Sequence, residues 1–438
     1  MKSSFQTILI IVFIVGFVGA VAVFSGLFSS TKTSTSTAPS GVVYAWGILQ
    51  REQMNQFEDN FNAQDVGYSV VYDEHSPETF TTDLINALAD GNPPDVVIFS
   101  SEIYSQFKDK LYTIPYAAYS ERAFRDTNID GAQLFLNAQG TLALPLLVDP
   151  LVVYYNKDIL NATNFVVPPA TWDTLAQSVR LFTKRNAQNA IIQSTIGLGD
   201  PDNVVHMRDI LSALFLQSGN SIVAYDATLG RNVTTLTDGS VGSGSAATLP
   251  TAQALEFYAS FENPTNTNYS WNRSLPDTLQ SFLAGKSAFY IGRASELFSI
   301  QAQNPSLNFD VKELFQSSAS TRPITFGSYV AAGVITKGAN FNAGYAFASY
   351  LASKDSIDAL SKSMSLPPVR RDLLQVQQQN PYVSVFFKAA LSAFSWPDPN
   401  AARTEDIFRA MINNINSGRT DSQDAIYEAA RDLQSTIK

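Results

Sequence analysis

The stretch LALPLLVDPLVVYYNKDIL, residues 142 to 160, is a dense apolar run broken by a single acid. Asp149 stands between Val148 and Pro150, and the run closes on Tyr154, Tyr155 and an Asn-Lys-Asp turn. An apolar run bounded by polar residues reads as a buried strand. A carboxylate inside such a strand is costly unless it is hydrogen-bonded or faces a solvent-filled cleft. Asp149 is therefore expected at a bend or beside a cleft, not in sealed core.

On the N-terminal side the pattern alternates. GVVYAWGIL reads as a strand, and QREQMNQFEDNFNAQ as a helix with Met54, Phe57 and Phe61 at helical spacing. GYSVVYDEH is a second strand. SPETFTTDLINALADGNPPD is a helix with Ser76 as its cap, Pro77 in its first turn and Gly91 after its end. DVVIFSS is a third strand. This order implies an α/β fold with a parallel sheet, because short right-handed crossovers join such strands. Ligands of parallel sheets gather at the carboxyl ends of strands. Those ends carry Trp46, then Asp73, Glu74 and His75, then Ser100, Ser101 and Glu102.

Composition narrows the function classes. The 438 residues exceed one typical domain, and 45% hydrophobic with 16% charged residues favours a folded, well-cored chain. A net charge of −10 with no long basic run argues against nucleic acid as a partner. With no cysteine and two histidines, His75 and His206, disulfides, thiolate chemistry and a Cys- or His-rich metal site are excluded. TILIIVFIVGFVGAVAVFSGLF, residues 7 to 28, is uncharged and long enough to span a bilayer, with Lys2 before it. It reads as an N-terminal transmembrane anchor; the rival reading is a signal peptide cut near Ala20-Val21-Ala22 and a secreted chain. Residues 29 to 40 are a Ser/Thr-rich linker. Either way the folded part lies outside the cytoplasm.

Five segments in order carry a resemblance. FEDNFNAQDVGYSVVY with LINALADGNPPDVVIFS, LALPLLVDPLVVYYNKDIL with PPATWDTL, TAQALEFYASF, SFLAGKSAFYIG and NINSGRTDSQDAIYEAA resemble the extracellular solute-binding proteins of ABC importers, in the sugar-binding, maltose-binding-protein-like branch. The resemblance covers about residues 41 to 438. It implies a type II periplasmic-binding-protein fold: two α/β lobes joined by a hinge that closes on a small molecule. The expected division is 41–147 with 277–327 for the first lobe and 148–276 with 328–438 for the second. It also implies no enzyme activity, no cofactor, a carbohydrate-like ligand, and ABC permease subunits as partners.

The residues offered for ligand contact are Trp46, Glu74, Glu102, Asp149, Trp271, Arg293, Tyr329 and Trp396. Sugars need apolar platforms together with planar polar groups. Trp396 matches a family position that stacks on sugar, or covers a core; Trp46 and Trp271 carry the same alternatives. Asp149 matches a family acid that accepts ligand hydroxyls, or else holds backbone amides. Arg293 replaces an aromatic usual in sugar binders, and is either a ligand donor or the ion-pair partner of a cleft acid. Tyr329 follows Ser328 where many members have a glycine pair. Trp172 is assigned to helix packing. Rival functions are a non-sugar solute binder, a surface sensory or structural module of the same fold, and, remotely, a glycosidase using two cleft acids.

Overall fold

The computed structural model describes residues 41–437 apart from 65, 166, 242–247 and 319. The expected anchor and linker lie outside these residues. Among the described residues no helix is long and apolar enough to cross a membrane.

The chain opens with β1 (Gly41–Gly47), α1 (Arg51–Asn62), β2 (Tyr68–Glu74), α2 (Phe80–Ala89) and β3 (Val96–Ser100). β1 lies between β2 and β3, parallel to both, with Gly41 opposite Tyr68 and Gly47 opposite Ile98. α1 buries Met54, Phe57 and Phe61, one stripe of its surface. α2 starts at Phe80, a turn later than the Ser76 cap implied, with Thr79 at its N-cap. After β3 come a short α3 (Ser101–Tyr104), the long β4 (Leu144–Asn156), α4 (Trp172–Phe182), β5 (Ile191–Ile196) and α5 (Met207–Gln217). Further on lie β6 (Ser287–Arg293), β7 (Phe309–Glu313), β8 (Thr325–Val334), α6 (Phe341–Leu351), α7 (Lys354–Met364), α8 (Ala401–Asn416) and α9 (Ser422–Thr436). Asp421 caps α9 by accepting from the Asp424 N–H at 2.8 Å.

One curled sheet runs β2-β1-β3-β8-β4-β6-β5. β4 is its pivot. Up to Pro150 it pairs antiparallel with β8; from Leu151 it lies between β6 and β7. Asp149 stands two residues before that exchange of partners, opposite Ser328.

Three bodies of apolar core form on this sheet, one of them around Phe99, Phe107, Phe135, Val148 and Tyr329. Around the second part of β4, Leu151 and Val153 pack with Leu175, Leu211, Phe215, Trp271, Phe289, Phe408 and Leu433. Around the first part, Leu146 and Leu147 pack with Val43, Met54, Phe57, Phe347, Leu351 and Ile357. Packing across the expected division is mixed: Phe282, Tyr290, Leu297 and Phe309 join the core of the first strands. Residues 330–334 pair with β3, and α6 and α7 complete the core of the first strands, whereas β6 pairs with the second part of β4 and with β5. The reason lies in strand direction. β8 runs antiparallel to β4, so the chain enters the first sheet as it leaves β8, and the segment after it packs there.

Candidate functional site

The carboxyl end of β3, the amino end of α5 and the end of β6 converge on a charged cluster. Glu102, in α3, places one carboxylate oxygen 2.7 Å from Arg293 Nη2 and the other 2.8 Å from Arg208 Nη2. Asp209 lies beneath both guanidinium groups. It accepts from Arg208 Nε at 3.1 Å and Nη2 at 2.8 Å through Oδ1, and from Arg293 Nε at 3.1 Å and Nη2 at 2.5 Å through Oδ2. Asp398 stands 3.9 Å from Arg208 Nη1. A cavity of about 320 Å³ adjoins the cluster, lined by His206, Arg208, Asp209, Arg293, Ala401, Ala402 and Glu405. That volume is at the small end of the range for ligand pockets. A larger groove of about 760 Å³, beside Trp172, Gln217, Phe257 and Arg322, touches none of the strand-end residues.

The sequence explains why these charges are held firmly. α5 is buried almost throughout, with Ile210, Leu211, Ala213 and Phe215 in the core. Its first turn carries Arg208 and Asp209, and the acid there complements the positive end of the helix. The turn is entered through His206 in a left-handed conformation, φ 61°, which non-glycine residues rarely adopt. The His206 ring contacts Glu296 through Nε2 at 2.6 Å, and Glu296 also accepts from the Tyr290 hydroxyl at 2.8 Å. These contacts fix the helix entrance from the β6 side.

Charge governs the titration of the cluster. Burial acts to raise the Asp209 carboxyl, but Arg293 and Arg208 outweigh it and hold the group well below the usual carboxylate range. Burial opposes ionisation of Glu102 too, and Arg293 foremost pulls it down. Asp398, with only a distant guanidinium, is pushed up by burial to about 6. Arg208 and Arg293 remain charged, because Asp209 and Glu102 overcome the burial of the two cations.

A family model described as bacterial extracellular solute-binding protein matches residues 56–385. The chain belongs to that family. The family is one of binding proteins, and the α/β fold agrees with solved structures of sugar-binding members. A cyclo/maltodextrin-binding protein complexed with maltotetraose aligns at a TM-score of 0.71 and 16% identity, over 92% of this chain and 98% of that one. The sugar-binding protein MalE from Xanthomonas citri aligns at 0.70 and 15% identity, over 90% and 97%. An ABC substrate-binding protein from Listeria monocytogenes in complex with cycloalternan aligns at 0.65 and 16%, over 91% and 99%.

Within this solute-binding protein the eight nominated residues separate. Glu102 and Arg293 meet directly. Asp149 lies beside them, accepting from the Ser295 N–H at 3.0 Å and its hydroxyl at 2.6 Å; burial raises its carboxyl, with Arg293 as the main opposing charge. Trp46 is partly buried at the end of β1, its ring 4.2 Å from that of His75. The other four are not brought together. Glu74 is exposed and accepts from the Arg51 N–H at 2.7 Å, at the start of α1. Trp271 is wholly buried, donating to Asn203 at 2.7 Å, and Tyr329 is wholly buried, donating to the Ala393 carbonyl at 2.7 Å. Trp396 is 3% exposed and donates to Ser212 Oγ at 3.1 Å. In this conformation all three rings pack in the core and offer no face to a sugar. Arg208, Asp209 and His206 were not nominated from sequence. The signal was present: an Arg-Asp pair opening a helix that is otherwise apolar from Ile210 to Leu216, apart from Ser212.

Proposed function

We propose that the chain is the substrate-binding component of an ABC importer, capturing a carbohydrate by hinge closure and passing it to a membrane permease. The observation that carries this reading is β4. One strand serves both halves of the sheet, and the charged cluster spans the halves beside its change of partner. Two lobes rotating about β4 and β8 would separate Glu102 from the two arginines, and a ligand touching both sides would favour the closed form. The oligosaccharides bound by the aligned proteins support the carbohydrate assignment. The apolar segment of residues 7–28 supports tethering of the chain at the outer face of the membrane. Glu102, Asp149 and Arg293, with Arg208 and Asp209, form the proposed contact set.

Thermal melting of the full chain against sugars, polyols, amino acids and peptides tests this. A ligand at a hundred times its dissociation constant adds about 2.7 kcal/mol, a clear rise in melting temperature. The expected outcome is a rise with one class of sugar. A rise with amino acids or peptides alone would sink the carbohydrate assignment.

A further inference from the structure

The clamp formed by Arg208 and Arg293 already holds a carboxylate, and that carboxylate is the protein's own. Each oxygen of Glu102 takes one guanidinium Nη2, at 2.7 and 2.8 Å, so the group is gripped from two sides. Among the acids that pair with these arginines, Glu102 alone stands on α3, which follows β3 of the first strands. Arg208 and Asp209 stand on α5, Arg293 ends β6, and Asp398 follows Trp396 of the second core. Asp209 grips Nε and Nη2 of both guanidiniums and is 3% exposed, so it orients the clamp whatever Glu102 does.

We infer that the ligand of this cleft carries a carboxylate, as a uronic acid sugar does, and that Glu102 occupies the place of that carboxylate between Arg208 and Arg293. The inference rests on the carbohydrate reading and narrows it. A ligand that takes this place must return what Glu102 supplied: two acceptor oxygens in one plane and one negative charge. A uronate does so without changing the charge of the cluster. A neutral sugar offers single hydroxyl oxygens and leaves two guanidinium donors short of charge-assisted partners, which is costly in a partly desolvated site. Stacking does not compensate. Trp172, Trp271 and Trp396 are core residues, and the Trp46 ring is packed against His75.

The test titrates the full chain calorimetrically with oligomers of galacturonate, glucuronate and mannuronate, each beside its carboxyl-reduced neutral counterpart. The wild type is expected to bind at least one uronide about tenfold or more tighter than its neutral counterpart, with affinity falling as salt rises. Glu102→Gln removes the competing charge and is expected to tighten that uronide by about tenfold. Arg293→Gln is expected to abolish the preference for the acid. Since Arg293→Gln disturbs a buried network, the Glu102→Gln result stands independently. Equal binding of uronide and neutral sugar, or binding of neutral sugars alone, overturns the inference and leaves the carbohydrate reading in place. Uronide binding that weakens in Glu102→Gln overturns the role given to Glu102. Silence with every sugar, in wild type and variant alike, overturns both readings.

Discussion

The two sides of the charged cluster are built differently. Glu102 is carried on a four-residue helix and keeps 22% of its side-chain surface, while Asp209 sits in the first turn of a buried helix and keeps 3%. One side presents a single acid on a short, partly exposed element. The other fixes two guanidinium groups through a carboxylate that cannot leave without exposing both. A site that opens and closes needs this asymmetry. The side that orients the ligand has to stay organised when its partner withdraws.

The sharpest way to break the comparison is to remove the two acids in turn. Asp209→Ala leaves two buried cations without their shared partner and is expected to cost about 3–5 kcal/mol of folding stability. Glu102→Gln keeps one acceptor oxygen for the two guanidiniums while Asp209 still neutralises them, and is expected to cost less than Asp209→Ala, about 1–3 kcal/mol. Urea unfolding midpoints of the two variants measure the difference. Equal losses would mean that Glu102 is as structural as Asp209, and the asymmetry would be gone.

A smaller effect separates the cluster from the core behind it. Trp396 donates to Ser212, and Ser212 in turn donates to the Arg208 carbonyl at 2.8 Å, so the indole is tied to the helix that carries the clamp. Trp396→Phe keeps most of the apolar volume and loses one buried hydrogen bond, an expected cost of about 1 kcal/mol. The melting rise caused by ligand should be unchanged. A variant as stable as wild type but deaf to ligand would return Trp396 to the binding surface.

Much of this arrangement is legible in the chain before it folds, and the rest is hidden for definable reasons. The alternation from Gly41 to Ser100 has short-range periods, so the order of β1, α1, β2, α2 and β3 follows from it. Asp149 is conspicuous because an acid in an apolar strand needs an explanation, and it does sit at the pivot of the sheet. Trp271 is hard to place because its own segment, NTNYSWNRSLPD, is polar, whereas its indole N–H meets Asn203 far away in sequence. The segment after Val334 is hard to place for the same kind of reason. No local period records that β8 returns along β4 into the first sheet. Arg208 and Asp209 are obscured by the strength of the helical pattern around them, which draws attention to the apolar face and away from the turn that opens it.

The last prediction concerns a carboxyl outside the cleft, and it contrasts two ways of burying an acid. Asp209 is buried against two cations. Glu262 is partly buried beside the fully buried Asp200, with its side chain also meeting Asn416, and Arg273 only partly offsets the like charge. Burial first, and Asp200 second, push the Glu262 carboxyl from 4.5 up to about 8. The sign of the resulting pH dependence follows from proton counts. Below pH 4.5 the group is protonated in both folded and unfolded chains and affects neither. Between there and about 8 the unfolded chain releases a proton that the folded chain retains, so rising pH removes stability; above about 8 the loss is complete. Glu262→Gln keeps the shape and does not titrate. The variant should match wild type near pH 4.5 and become progressively more stable than wild type up to about pH 8, with a constant difference beyond. Asp209 has the opposite sign, since its lowered carboxyl gives stability that is present at neutral pH and lost on acidification below its ordinary value of 3.8. Unfolding midpoints from pH 4 to pH 9 read the Glu262 trend and an extension to pH 2 reads that of Asp209; a flat difference for Glu262→Gln from pH 4 to pH 9 would show that neither burial nor Asp200 raises its carboxyl.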